Sequence, residues 1–478
     1  MASTFSGLET AYSGLTAARD AMNVTGQNVT NAGTPGYTRQ RIVQSSAVAA
    51  TETHFASPAP QVGQGVTVTG IQRLSDELAN ARLRTAQGQQ AYTGLRADAL
   101  QTLEDGLNEP SDTGLSAQLQ QFWASWQDLG NNAGQASAGA VVLSDAQSVV
   151  AQIASGYRQV TSQWSSLRTQ LGGLADQVNQ AADGIAALNA QIQQATAAGA
   201  SANELIDQRD QLAGTVAQLV GGTATPRPDG TVDVFVAGNL LVSGQTANHV
   251  QLAGATGLEG AAGDPVQLEW QAHPGQAIDV DGGQIAAGLS LLAPAAADGS
   301  GGALAQTADA YDQVATALAA QVNAVHEGAV TADGRTGLDF FAVATSGPAA
   351  LGLSVVATSP ADIAAASPGA GALDGSVADR ISQLGGVGVA GSPDSLWSGF
   401  IGTIGTASQA AQQQDALAQS TLTSATSAQQ SVSSVDTDQE NLDLMTEQSA
   451  YQSAARVLTT VDQLLDTLIN HTGVVGLS

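Results

Sequence analysis

The chain of 478 residues has no cysteine and no lysine. Without thiols it can form no disulfide and offer neither a thiolate metal ligand nor a cysteine nucleophile. Aromatic residues make up only 4% and methionine occurs three times, while alanine and glycine are abundant. Cores of that composition rely on close helix approach and many small contacts, which suits long bundles better than a dense enzyme interior. No run approaches eighteen apolar residues, and the N-terminus has no basic start followed by an apolar stretch and a small-residue cleavage site. Neither a membrane span nor a Sec signal is therefore expected.

All 14 basic residues are arginine, set against 42 acids. The first hundred residues hold seven of the arginines and six acids, about +1, and the remainder carries about −29. Such a surface would repel nucleic-acid phosphates and suits an exposed, soluble protein. With 43% apolar residues, a chain this long can hold several cores, and two to four domains are expected.

Two seams at the chain ends organise what is present. Phe5, Leu8, Tyr12, Leu15, Met22 and Val29 are three, four or seven apart, one narrow stripe of a helix that looks for a partner. Asn31-Ala32-Gly33 then offers a left-handed cap, and Thr34-Pro35-Gly36-Tyr37 forms a turn in which Pro presets φ and Gly takes positive φ. At the far end Leu444, Tyr451, Ala454, Leu458, Val461, Leu465 and Leu468 fall in a near-heptad, broken by Glu447. Each seam buries little by itself, so the two are expected to pair with each other and to be completed by neighbouring copies.

Between them, 38–72 reads as an extended connector, and helix resumes near Arg73 and runs to a breaker at Asn108-Glu109-Pro110-Ser111. A short helix with Leu119, Phe122, Trp123 and Trp126 follows. From Ile153 through Trp164 to Ile192, apolar residues step by four and three without a miss, a long coiled-coil-like helix in which Gly172-Gly173 predicts local bending. The spacing predicts another helix from Asn203 to Leu219. Period-two alternation at Val232, Val234 and Val236 marks an inserted β region. Helices return over Leu304 to His326 and Ser395 to Val435.

The expected fold is mainly α with an inserted β domain. Residues 1–37 and 436–478 form a terminal coiled-coil assembly unit; 73–222, 303–328 and 395–435 a rod-like helical body; 223–302 a distal β lobe; and 329–394 a mixed, irregular region.

The stretch SGLETAYSGLTAARDAMNVTGQNVTNAGTPGYTRQ and the C-terminal SVDTDQENLDLMTEQSAYQSAARVLTTVDQLLDTLI together resemble the family of flagellar hook-associated protein 1, the first hook–filament junction protein. The Asn-x-x-Thr-Pro-Gly-Tyr element is common to flagellar rod and hook proteins; Arg39-Gln40 and the C-terminal stretch favour the junction family. NELIDQRDQLAGTVAQLVGG at 203–222, LLVSG at 240–244 and HEGAVTADGRTGLDFF at 326–341 agree, and cover is weakest over 343–395. The resemblance implies a structural role without enzymatic activity, metal or cofactor. It also implies type III export, location at the hook–filament junction, and helical self-assembly through the terminal helices. The implied partners are further copies, the hook protein, a second junction protein or filament-side neighbour, and a cytoplasmic export chaperone on the C-terminal helix. A hook or rod protein is the nearer alternative. A cell-wall hydrolase with flagellar-type ends is the distant one, and it would need a carboxylate pair that the sequence does not present.

Other candidate sites have structural readings. His54, His249, His273, His326 and His471 have no metal-ligand spacing. Asp207, Arg209 and Asp210 read as surface pairs or a bundle contact rather than acid and base. Asp279 and Asp281 read as a turn, not a calcium loop, and Gly299 to Gly302 as linker. Trp123, Trp126 and Trp164 read as core anchors.

Overall fold

Long helices carry most of the chain, and they stand where the apolar spacing puts them. The computed structural model describes residues 4–47, 63–386 and 389–471. His54 and the side chains of Phe5, Leu468 and His471 lie outside what is described. Helix α1 (Thr4–Asn31) leads into an antiparallel hairpin of β1 (Gln40–Ser46) and β2 (Val66–Arg73). The connector is thus paired strand on both sides of 48–62. Helix does not resume at Arg73, which ends β2, but at α2 (Glu77–Leu107), because Asp76 caps it by accepting from the Leu78 and Ala79 N–H groups. Its C-terminal cap is Asn108 in the left-handed conformation, one of the few non-glycine residues that tolerates it.

α3 (Leu115–Asn131) and α4 (Ala136–Ala197) follow. At 62 residues, α4 spans about 93 Å. All twelve positions of its sequence stripe, Ile153 to Ile192, are buried, and α4 continues as helix through Gly172-Gly173. Against it pack α3, α5 (Asn203–Val220), α6 (Gly283–Leu292) and α7 (Ala303–His326). α5 stops where Gly221 takes φ +68°, with Gly282 and Gly283 so close that no side chain fits between.

The β region forms two antiparallel sheets. One runs in order β3 (Thr223–Pro226), β4 (Val232–Val236), β5 (Asn239–Ser243), β6 (Thr246–Ala247); the other β7 (Val250–Ala253), β8 (Gln267–Trp270), β9 (His273–Ala277). Val232, Val234 and Val236 turn inward as their alternation requires. These sheets dock on α4. Their apolar side chains join the same core as α4, and two asparagines of α4 dock the strands. Asn189 donates to the Val232 and Gly244 carbonyls and accepts from the Val232 N–H; Asn179 does the same with both groups of Val250. Buried strand edges need such partners, and α4 supplies them.

The irregular stretch after α7 is built of very short pieces: β10 (Val330–Thr331), β11 (Phe341–Ala342), α8 (Ala349–Gly352), β12 (Ser354–Val355), β13 (Ala364–Ala366) and α9 (Ser376–Ser382). Side chains of α7 hold it. Asn323 Oδ1 accepts from the Phe340 and Phe341 N–H groups and its amide donates to the Phe341 carbonyl. Phe122, Trp126, Phe340, Phe341 and His326 form one aromatic cluster with ring centroids 4.8 to 6.3 Å apart, so the α3 aromatics are core anchors. The chain closes with α10 (Pro393–Ser433), capped by Ser392, which packs along α2, and α11 (Thr437–Asp466), which packs along α1.

His326 is fully buried, and two backbone groups define its protonation. Nδ1 contacts the Leu338 carbonyl at 2.6 Å and Nε2 accepts the Ala364 N–H at 2.9 Å, which is the neutral tautomer. Burial pushes its pKa down, against the smaller pull of the Leu338 carbonyl and Asp339. The unfolded chain takes up a proton near pH 6.5 and the folded one does not. Stability is therefore present above that pH and falls below it, by up to about 1.4 kcal/mol per pH unit from this residue. Urea midpoints at pH 7.5 and 5.5 read the loss, and His326→Gln is expected to remove that part of it.

Candidate assembly site: the terminal helix pair and its clasp

α1 and α11 form an antiparallel pair whose contact line is made of small residues. A side-chain carbon placed on Gly7 would lie 3.9 Å from Val461, and one on Gly14 3.9 Å from Ala454. Asn28 bonds Glu440 at 3.0 Å. Both helices thus advance by seven in step, and the same register sets Ala21 opposite Glu447. Ala11, Ala18, Ala21 and Thr25 are buried along α1. The large residues named by the sequence stripe, Leu8, Leu15, Met22 and Val29, lie on the flank of this line and are half-buried, while Tyr12 is exposed. The bulky residues give α1 one phase, but the pair takes the phase of its small ones, because small side chains let the two backbones approach. On α11, Leu444, Tyr451, Leu458, Val461 and Leu465 are all half-buried.

The other side of α1 carries the hairpin. Ser13 Oγ accepts the Val66 N–H at 3.2 Å, and Gly65, at φ +97°, sits so close to Ser13 that a side chain would collide with it.

Where the pair meets the body, the turn motif becomes a polar clasp. Asn31 donates to the Gln27 carbonyl and accepts from the Thr34 hydroxyl, closing the helix end; the Tyr37 N–H then bonds the Thr34 carbonyl. Gly36 takes φ +78°, and the exposed Pro35 offers its carbonyl to Gln211 Nε2 at 2.7 Å. Gly36→Ala is expected to cost about 1–2 kcal/mol, since an L-residue is strained there and its side chain would displace Gln211. Faster amide exchange around Tyr37 would register the change.

Of the residues that do the holding, Asn28, Glu204, Glu440 and Asp443 carry no motif and stand out only by position. Asn28, 2% exposed, makes four hydrogen bonds: its amide donates to the Gln40 carbonyl (2.8 Å) and to Glu440, and its oxygen accepts from the Tyr37 hydroxyl (2.9 Å) and the Gln40 N–H (3.0 Å). Arg39 reaches Glu440 at 2.6 Å and Asp443 at 3.2 Å, while its N–H bonds the Ser433 carbonyl at the end of α10. On the body side, Asp207 accepts the Thr38 N–H at 3.0 Å and the Arg73 guanidinium at 2.6 Å, and Arg73 also bonds Asp210 at 3.0 Å. Glu204 accepts from both Gln27 and Gln40. Asp207 is therefore a buried member of this junction rather than part of a surface pair, while Arg209, also buried, donates to the Gly230 carbonyl and meets Asp210. The one signal in the sequence was an asparagine and acids lying within otherwise apolar helical stripes.

Burial raises the Asp207 carboxyl, partly offset by Arg73 and Thr38, and raises the Tyr37 hydroxyl to about 12, with Glu204, Asp207 and Glu440 adding to it. Glu447 is also raised, by burial and by Asp443, and has no bonded partner among the described residues. Behind the clasp lies a polar cleft of about 280 Å³ lined by Gly36, Thr38, Arg73, Arg84, Asp207 and Gln429. Among the described residues no cluster of three or more histidines and acids has the geometry to hold a metal ion, and no helix is long and apolar enough to cross a membrane.

Comparison with known proteins meets this geometry at both ends and in the middle. The family model described as the flagellar hook-associated protein FlgK helical domain matches residues 100–341. Those of the flagellar basal body rod protein and of the flagellar basal body rod FlgEFG protein C-terminal region match 8–38 and 428–471, which are α1 with its turn and α11 with its approach. Flagellar hook-associated protein 1 of Bacillus subtilis is 30% identical over 515 residues, covering the whole of both chains. Its counterpart in Escherichia coli is 32% identical over 343 residues, 70% of this chain and 60% of its own. A solved structure of the flagellar hook junction protein FlgK from Burkholderia pseudomallei shares the fold, with a TM-score of 0.63 at 17% identity, over 74% of this chain and all of that one.

Proposed function

The chain belongs to the family of flagellar hook-associated protein 1, a structural component of the bacterial flagellum, and on that footing we propose that it builds the hook–filament junction by self-assembly through its terminal helix pair. One observation carries the reading: α1 and α11 seal a narrow line of small residues yet leave Leu8, Tyr12, Leu15, Met22 and Leu458 half-covered or exposed. Large apolar residues left open in a row mark an unfinished interface. Copies in a ring or helix close it for one another, with the pair lining the inner tube and the helical body and β region outside. The terminal unit, 1–37 with 436–478, serves assembly, and the helical body, 73–222 with 303–328 and 395–435, serves as its rigid support. The hook protein lies on one side and a second junction protein or filament-side neighbour on the other. Before type III export the uncovered face of α11 is the segment for a cytoplasmic chaperone to hold. The work is mechanical rather than catalytic. The matched helical domain at 100–341 supports a junction protein over a hook or rod protein.

The test is complementation. In a strain whose own hook-associated protein 1 is deleted, cells carrying hooks without filaments should regain filaments and swimming on expressing this chain. Leu458→Asp, which sets a charge on the seam, should leave them without filaments while the purified body melts as before. If the body melts earlier by as much as assembly fails, the two units are not separable and the assignment to the seam falls.

A further inference from the structure

An open groove of about 600 Å³ runs between α2, α6 and the strands β8 and β9. Its floor is Leu268 of β8, fully buried, and half-buried Tyr92, Val280 and Leu289 line it further. Asp279 and Asp281 border it, both exposed, and neither has a hydrogen-bond or ion-pair partner among the described residues. The arginine one helical turn beyond Tyr92 is committed elsewhere: Arg96 donates to Ser290 Oγ at 2.6 Å and sets its guanidinium over the Tyr92 ring at 5.7 Å. Acids bordering two other cavities are answered. In the cleft behind the clasp Asp207 and Asp210 hold Arg73, and in a groove of about 190 Å³ at the start of α4 Asp374 accepts from Ser367 and Ser376.

We infer that this groove docks a basic amphipathic segment of a partner protein, with an apolar side chain on Leu268 and Leu289 and an arginine or lysine at Asp279 and Asp281. The contact is separate from assembly and does not depend on it. Three observations select this occupant. The first is charge: past residue 100 the chain carries about −29, a field that draws a basic partner to the surface, and two acids without a counter-charge give its cation a place to stop. The second is shape, because arginine and lysine lay an apolar stem on apolar surface while the charged head stays in water, which matches an apolar floor beneath a wet acidic edge. The third is the strand edge. β9 is the outer strand of its sheet, yet Pro274 has no N–H to give and Gly275 takes φ +86°, so an extended chain cannot pair along its length. The partner enters by its side chains.

The probe is a short labelled peptide that alternates leucine or phenylalanine with arginine, titrated into the full chain by fluorescence anisotropy. Two control peptides carry glutamine in place of arginine, or serine in place of the apolar residues. The basic amphipathic peptide is expected to bind about tenfold tighter than either control, and to weaken as salt rises. Asp279→Asn with Asp281→Asn should weaken it about tenfold. Ala277→Trp, at an exposed position bordering the groove, should cover the floor and abolish binding, and both variants should melt as the wild type does. Asp438→Asn with Asp462→Asn takes the same charge from exposed positions of α11 and should leave binding unchanged. An equal loss from that remote pair would show attraction to overall charge alone; no binding by the basic peptide, or equal binding by the serine peptide, would show that the groove is not used. Each of these results overturns the site. Displacement of the peptide by an excess of the Asp279→Asn, Asp281→Asn chain, which keeps every other surface, would make the occupant a second copy and overturn the partner.

Discussion

Asn28→Ala is expected to release the terminal helix pair from the body at a cost of about 3 kcal/mol, read as roughly hundredfold faster amide exchange in the first and last helices. Its side chain holds three segments at once: the Gln40 backbone, the Tyr37 hydroxyl and the Glu440 carboxylate. Alanine leaves all of them without that partner, and Glu440, 1% exposed, keeps only Arg39. A buried group that loses its partner costs more than the bond was worth, because water does not return to replace it. Asn28→Ala and Glu440→Ala should therefore be strongly non-additive. Unchanged exchange in the first helix of Asn28→Ala would mean that apolar packing alone sets the pair against the body.

Trp126→Ala should act on the other half of the molecule and more severely, by about 3–5 kcal/mol. The ring is fully buried, 5.1 Å from Phe340 and 6.2 Å from Phe122 between ring centroids, and no small rearrangement fills the space it leaves. Its Nε1 has no hydrogen-bond partner among the described residues, so Trp126→Phe forfeits no bond and should cost a fraction of that. Urea unfolding of the body measures both. Asn28→Ala should leave that transition in place, and Trp126→Ala should shift it markedly. Equal shifts from the two substitutions would show one cooperative unit rather than a body and an appended pair.

Much of the body was legible in advance because its signal is long and redundant. The twelve-residue stripe of α4 recurs at helical spacing over eleven turns, so no single misread position changes the outcome. The breaker at Asn108, the glycine stop after α5 and the alternation of Val232 to Val236 are local chemistry and read as such. The stretch from 343 to 395 gave little, since its strands, β12 and β13, are two and three residues long, and β13 takes a bond from His326 of another element. How the β strands dock on the body was not legible for a related reason: Asn179 and Asn189 look like ordinary polar positions on a helix until the strands they hold are in place.

At the termini the division is sharper. The sequence by itself determined that both ends are helices with an apolar side, that a glycine turn follows the first, and which family the motifs belong to. Those properties follow from spacing and from residue types with few conformational options. Tertiary structure alone decided which face of the first helix meets the last, and that Asp207 and Glu440 go inside. Periodicity sets helical phase only to within about a residue, and bulk is a poor guide when the closest approach favours alanine and glycine. A charge, moreover, enters an interior only if its partner arrives there, and here the partners lie 169 and 412 positions away.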